Sequence, residues 1–407
     1  MELKLISTIS GKEYNFSCLE EVSDNNEPLE VYLPGLERAR IKTGEKIWER
    51  FADFLPFPVS ENISLGEGNT PLIAADSKLK KYTGLDNLFL KDETINPTGS
   101  FKDRGSLLVT AMSRKMNESV TATISTGNMG SSISAYGKKA GLKVIVFIPD
   151  STPEEKIQLM CQFDPYIIKI KAPDYSKMKK KILAMASELN LRIVSGNGPI
   201  RVEGYKLTAF EMFEQMMGEV PDYIAVPTSA CGHIRGIFKG YLELFRSGYI
   251  RKLPKMIIVQ AENNSPIVSA IKQGRNETIP FIYFKTIAHA ITSGDPFGGN
   301  ELIGKAGKFN WLAEDVTEDE IVKAQKVLND SGYLVEPASA TVLPAVRKLQ
   351  ETGKIEADAK VVLILTGSAE KHIRETLQIQ TRIISCNLQD VKGQIRKILL
   401  KNSQDEA

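Results

Sequence analysis

The chain has 407 residues, 42% of them apolar and 25% charged, a composition suited to about two soluble domains with cores of their own. Its 52 basic and 50 acidic residues leave a formal charge of +2, too small a surplus to neutralise a polyphosphate backbone or an anionic lipid surface, so neither nucleic acid nor membrane is an expected partner. The four cysteines are far apart and form no CxxC pair, and the three histidines show no HxxxH spacing; together these argue against a disulfide framework and a metal centre, and no metal is expected.

Residues 1–60 read as an irregular extension. Its start, "MELKLISTISGKEY", lacks a basic segment followed by an apolar core, and no later run stays apolar for about 18 residues, so a cytoplasmic location is expected. Short β-branched runs then recur: "NLFLKDE" from Asn87, "VTATIST" from Val120, "KVIVFIP" from Lys143, "YIIKIK" from Tyr166, "LRIVSG" from Leu191, "YIAVPT" from Tyr223, "KMIIVQAE" from Lys255 and "VVLILTG" from Val361. Each reads as a buried strand. Between them, "YSKMKKKILAMASELN" and "EDEIVKAQKVLNDSG" place apolar residues every three or four positions and read as covering helices. The basic run Lys177 to Lys181 is the solvated face of one of these. Such alternation predicts an α/β protein with parallel sheets built from βαβ crossovers. The last twenty or so residues, ending "KNSQDEA", read as a polar tail.

Turns from strand to helix are where α/β proteins hold ligands, and four here are rich in small polar residues. They are "NPTGSFKDRG" (Asn96 to Gly105), "STGNMGSS" (Ser125 to Ser132), "PTSACGHIRG" (Pro227 to Gly236) and "LTGSAEKH" (Leu365 to His372). Any one of them could serve only as a connection. A phosphate-binding P-loop fails for the first, because Arg104 stands where the second glycine is required, and GxGxxG appears nowhere. Lys102 is the unusual residue. At a helix start the positive end of the macrodipole disfavours an ammonium ion, so its pKa is expected to fall. An amine in that condition is a nucleophile toward aldehydes, whereas the structural alternative is a solvated lysine. The other turns could supply what a phosphorylated aldehyde cofactor needs: backbone donors, an amide and a neutral hydroxyl.

The segments "EGNTPL", "NPTGSFKDRG", "STGNMGSSISAYGKKAGLKVIVFIP", "IRVEGYK", "TIAHAI", "EPASA" and "LTGSAEKH" follow one another in the order found in threonine synthases. The chain resembles that family, part of the tryptophan-synthase-β-like group (fold type II) of pyridoxal phosphate enzymes, over roughly residues 60 to 375. The resemblance implies two open, mostly parallel doubly wound domains with pyridoxal 5'-phosphate in the cleft between them. Residues 61–99 and 197–385 would form the larger, 100–196 the smaller, and 386–407 a tail. It implies Lys102 as the Schiff-base lysine, Phe101 packing near the cofactor ring, Asn128 on the phenolic oxygen and Thr366 on the pyridine nitrogen. Ser229, Ala230, Cys231, Gly232 and His233 would hold the cofactor phosphate. Ser125, Thr126 and Gly127 would grip a substrate carboxylate, and Arg201 a substrate phosphate.

The implied activity is a carbon–oxygen lyase that converts O-phospho-L-homoserine and water to L-threonine and phosphate. The alternatives are a β-replacement enzyme on O-phosphoserine (cysteate synthase type), a threonine dehydratase, and a catalytically silent scaffold. The expected partner is a small phosphorylated amino acid, with a homodimer left open. Three departures from the family bear on the substrate. Ser229 to His233 replaces Gly-Asn-Gly-Gly-Asn, "SGNGPIR" replaces NSxNPxR, and "TGSAEKH" replaces TGHGLKD. Paired cysteines frequent near the family's amino terminus are also missing.

Overall fold

The computed structural model describes residues 2–400 apart from 17–19, 173–174, 190, 282–284 and 370–381. Cys18, Glu370, Lys371 and His372, and the end of the expected tail (401–407), lie outside the described residues. The chain divides into two compact units. The first comprises Met1–Val59, Gly66–Gly105 and Gly196–Glu370; the second comprises Ser60–Leu65, Ser106–Ser195 and Lys371–Ala407.

Among the described residues the first unit holds a six-stranded sheet in the order Leu312–Val316, Lys255–Ala261, Tyr223–Pro227, Lys360–Leu365, Asn87–Asp92, Leu72–Ala74. All neighbours are parallel except the last pair, which is antiparallel. One face, with Leu88, Leu90, Ala225, Ile257, Val361 and Leu363, packs on Leu79, Ile321, Leu328, Val342 and Leu349 of three helices. Residues of opposite parity, Ile224, Val226, Ile258, Val362 and Ile364, are equally buried. That two-sided burial is why the strands read as continuous apolar runs. The register matters most for function. Leu365 pairs with Asp92 and Leu363 with Ala225, so the carboxyl ends of three central strands lie side by side.

The second unit carries a parallel sheet in the order Arg382–Asn387, Tyr166–Lys171, Lys143–Pro149, Val120–Ile124. Its core joins Ile145, Phe147, Ile168 and Ile170 to Met178 and Ile182 of helix Tyr175–Glu188 and to Val391, Ile395 and Ile398 of helix Val391–Leu400.

Three sequence expectations need correction. The segment 386–400 is not a tail but the end of an outer strand and a helix, whose apolar residues recur at spacings of four and three among many charges. "LRIVSG" is not a strand. Only Ile193 bridges, to Ala122, and the chain then turns into helix Pro199–Tyr205. Residues 1–59 are part of the first unit, where Lys4–Ser7, Glu13–Asn15 and Leu29–Tyr32 form an antiparallel sheet. No helix among the described residues is long and apolar enough to cross a membrane.

Candidate active site

Lys102 is the first residue of helix Lys102–Lys115, as its flanking sequence predicts. The turn before it is fixed by its own side chains. Gly99 takes φ +75°, a value only glycine adopts freely, and Asp103 accepts from the Thr98 amide at 2.7 Å and from the Thr98 hydroxyl at 2.5 Å. Ser100 bridges to Gly367, the Phe101 amide donates to the Thr366 carbonyl at 3.1 Å, and the Ser368 amide to the Gly99 carbonyl at 2.9 Å. The lysine turn and the turn after strand Lys360–Leu365 are therefore one hydrogen-bonded assembly.

Two glycines let another helix approach. A Cβ on Gly105 would stand 2.4 Å from Arg201 Cγ and 2.7 Å from Tyr205 Cε1, and one on Gly204 would stand 2.1 Å from the Arg104 carbonyl oxygen. Helix Pro199–Tyr205 thus lies against the first turn after Lys102 and brings Arg201 and Tyr205 to it. Arg201 is buried, with 1% of its surface exposed. Glu203, the acid that could have held Arg201 in a surface pair, is instead bound to Lys206 at 2.5 Å and Lys239 at 2.8 Å.

An aromatic group surrounds the amine. Lys102 Nζ lies 4.0 Å from the Phe101 ring centre and 5.7 Å from that of Tyr205. His233 stacks on Phe101 with centres 3.7 Å apart and planes 6° from parallel, and it meets Tyr205 edge-on at 5.6 Å. The histidine is 5% exposed, and neither ring nitrogen has a hydrogen-bond partner among the described residues. Burial, then the charges of Lys102 and Arg104, hold its pKa well below the usual histidine value, so the ring is neutral.

His233 begins with Gly232 the helix Gly232–Arg246, and Cys231 precedes it at φ +79°, a left-handed conformation that costs a residue with a Cβ about 1–2 kcal/mol. A Cβ on Gly232 would stand 2.2 Å from the Gly196 carbonyl oxygen, so this loop and the segment before Arg201 are in close contact. Arg235 reinforces that contact by donating to the Asn197 carbonyl at 3.0 Å and side chain at 2.8 Å, while Glu301 balances its charge at 2.7 Å. The departure at Gly198 has a local cause. The Glu21 carboxylate fills the space a side chain there would take, with Oε2 1.9 Å from the position of a Cβ.

Thr366 follows strand Lys360–Leu365, and its hydroxyl lies 2.8 Å from that of Ser339, both buried. In the second unit, Ser125, Thr126, Gly127 and Asn128 are all half-buried at the turn into helix Asn128–Lys139, where the Ser125 hydroxyl accepts from the Gly127 and Gly130 amides.

Sequence reasoning passed over Tyr205 and Ser339, although both lie in quoted motifs, and it gave Arg104 no part. The Arg104 guanidinium is fully buried and binds Glu93 at 2.6 Å and Glu211 at 2.7 Å, and Glu211 also accepts from Lys91 at 2.7 Å. Burial would raise the Glu211 carboxyl, but Arg104 and Lys91 hold it far below the ordinary carboxylate range. This double ion pair anchors the helix that begins at Lys102.

Comparison with known proteins defines the class. The family model described as pyridoxal-phosphate dependent enzyme matches residues 63–367. The threonine synthase of Methanocaldococcus jannaschii is 35% identical over 328 residues, covering 80% of this chain and 80% of that protein. The threonine synthase of Methanosarcina acetivorans is 32% identical, covering 88% of this chain and 89% of its own. Among solved structures, the processed form of threonine deaminase isoform 2 from Solanum lycopersicum superposes with a TM-score of 0.64 at 18% identity, over 81% of this chain and 92% of that one, a likeness of fold. The chain belongs to the threonine synthase family of pyridoxal-phosphate dependent enzymes. It is a carbon–oxygen lyase that uses pyridoxal phosphate. The residues present suit that cofactor: a lysine at a helix start, a helix amino terminus behind a left-handed loop, and a buried imidazole whose two nitrogens have no partner among the described residues.

Proposed function

We propose that the chain converts O-phospho-L-homoserine and water to L-threonine and phosphate with Lys102 as nucleophile and proton carrier. When bound, pyridoxal phosphate supplies an aldehyde for amines and a ring that withdraws electrons from the attached substrate carbon. Lys102 holds the cofactor covalently at rest. As a free amine it would take the proton from the substrate Cα and later return it. The backbone N–H groups of Ser229 to His233, at the head of a 15-residue helix, bind the cofactor phosphate. Phe101 packs near the ring, Asn128 donates to the phenolic oxygen, and Thr366 meets the ring nitrogen. Ser125, Thr126 and Gly127 hold the substrate carboxylate. Arg201 takes the leaving phosphate, because burying nearly two negative charges requires a cation and its planar fork can hold two oxygens at once. A cytoplasmic location is part of the same proposal.

The observation that carries this reading is the Gly105 and Gly204 contact, which places a buried arginine one helical turn from the lysine. Two assays test it: O-phosphohomoserine with water, and O-phosphoserine with sulfite. Threonine from the first alone supports the proposal. Cysteate from the second alone replaces it with β-replacement, and turnover of neither by cofactor-loaded protein overturns it.

A further inference from the structure

Packing alone does not account for the side chain of His233. It stacks on Phe101 with centres 3.7 Å apart and meets Tyr205 edge-on, contacts that a phenylalanine would make equally well. A phenylalanine would also bury no polar atom. The histidine is 5% exposed, yet neither Nδ1 nor Nε2 has a hydrogen-bond partner among the described residues. The hydroxyl of the neighbouring Tyr205, a fully buried residue, lacks one as well. Leaving such atoms unpaired in the interior is destabilising, so a polar ligand is expected to meet them.

Imidazole chemistry narrows the ligand. Burial and the charges of Lys102 and Arg104 keep the ring neutral, with one nitrogen that donates and one that accepts. Ionised phosphate or carboxylate oxygens only accept, and an ammonium only donates, so either would leave one nitrogen unmatched. Water does both, and an enclosed water typically makes about three hydrogen bonds. The ring also lies where water would be consumed. The Lys102 amine is 4.0 Å from the centre of the Phe101 ring on which His233 stacks, and after burial its charge acts on the imidazole more than any other.

We propose that the His233 side chain binds the water that becomes the new hydroxyl group, accepting a hydrogen bond from it so that an oxygen lone pair faces the substrate Cβ. This rests on the reaction proposed above. There, the lone pair forms the bond from oxygen to Cβ, and the electron pair displaced onto Cα takes the proton that Lys102 returns. One O–H bond of the water breaks, and its proton leaves with the phosphate product. The His233 backbone, at the head of helix Gly232–Arg246, remains the part assigned to the cofactor phosphate.

The test measures phosphate, threonine and 2-oxobutyrate together, using cofactor-loaded protein and O-phosphohomoserine. With no water held at Cβ, the unsaturated carbon chain left by phosphate loss escapes and hydrolyses to 2-oxobutyrate and ammonia. The wild type should form one threonine per phosphate. In His233→Phe, which keeps the stack on Phe101, threonine per phosphate should fall about two- to tenfold, the effect of one lost neutral hydrogen bond, with 2-oxobutyrate making up the difference. His233→Asn retains a donor and an acceptor and should restore most of the threonine, which guards against misfolding of the phenylalanine variant. Labelling histidine with 15N gives a readout independent of turnover. The resonances lost in His233→Phe should belong to a neutral ring whose accepting nitrogen carries a hydrogen bond, and a bare nitrogen overturns the proposal. If the wild type makes threonine and His233→Phe still forms one per phosphate, even with a raised KM, the water site is refuted while the reaction stands. If the wild type releases no phosphate from this substrate, both readings fall.

Discussion

The amide of Phe101 donates to the carbonyl of Thr366 across 3.1 Å, so the residue before the lysine proposed as nucleophile and the residue proposed for the ring nitrogen are joined through backbone atoms. A side-chain substitution at position 102 leaves this bond intact. Lys102→Ala should therefore fold with a melting temperature close to wild type and lose the adduct that borohydride fixes between protein and cofactor. Peptide mapping of the reduced wild-type protein should find the label on Lys102, and a label on any other lysine refutes the assignment.

The loop before helix Gly232–Arg246 separates backbone from side-chain effects. Cys231→Ser retains the strained φ and the backbone donors, and should leave cofactor affinity within about twofold. Cys231→Gly relieves the left-handed strain and should raise stability by up to about 1 kcal/mol. Gly232→Val cannot be accommodated beside the Gly196 carbonyl and should cost about 3 kcal/mol or more in urea unfolding. A Gly232→Val protein of wild-type stability contradicts the packing described.

Arg201→Lys keeps a cation and most of the packing but loses the planar fork. Activity on the phosphorylated substrate should fall roughly 10- to 100-fold, from about 1.5–3 kcal/mol for a charged hydrogen bond, with the visible spectrum of the bound cofactor unchanged. An unaltered rate places the phosphate elsewhere.

Acid should act on the buried ion pairs. Burial would raise the Glu30 carboxyl, but Lys305 at 3.1 Å and Arg235 hold it down to about 2, against an ordinary 4.5. A carboxyl depressed on folding adds stability that is complete above about pH 4.5 and disappears as the pH falls toward 2. Glu211 acts in the same direction. Unfolding free energies measured between pH 7 and 3 should decline below about 4.5 for the wild type. Glu211→Gln, which leaves Arg104 and Lys91 undercompensated, should be less stable by about 3–5 kcal/mol at pH 7, with a shallower acid decline.

His233 contributes in a different window. Its folded pKa lies below the ordinary 6.5, so the unfolded chain binds the extra proton and stability falls as the pH drops below 6.5, by up to about 1.4 kcal/mol per pH unit. His233→Phe should lose that slope between pH 6.5 and 5, and its stability relative to wild type should rise as the solution is acidified. Parallel curves for the two proteins indicate a histidine that titrates normally.

Much of this architecture was legible in local patterns, because strands buried on both faces are continuous apolar runs and the lysine turn has glycine and polar residues at fixed places. The strand at Leu312–Val316 was missed because its sequence, "LAEDV", carries two acids, one of which, Glu314, pairs with Lys272 at 2.6 Å. The terminal helix was missed because the polar end of 386–407 was read as a tail, although Val391, Ile395 and Ile398 recur at helical spacing. Within the candidate site, residues with a chemical signature stand out in the sequence. Those whose importance arises from contact do not: Gly105 and Gly204 are distant in sequence, and the Ser339 hydroxyl matters only because register sets it beside Thr366.

The first unit is not continuous in the chain. Lys102 leaves the ribosome early, but Arg201, His233, Ser339 and Thr366 all belong to its last segment, Gly196–Glu370, which is synthesised after the 90 residues Ser106–Ser195 of the other unit. A nascent chain shorter than about residue 366 exposes the lysine turn without the strand end that ties it down. Its two buried acids and two buried bases are also incomplete until Glu211 emerges. With the cofactor held as proposed above, its capture should be a late event in the life of the polypeptide. Prematurely terminated products, which retain Lys102, should not compete for the vitamin-derived cofactor, and arrested chains of graded length would show capture only after the final central strand has been translated.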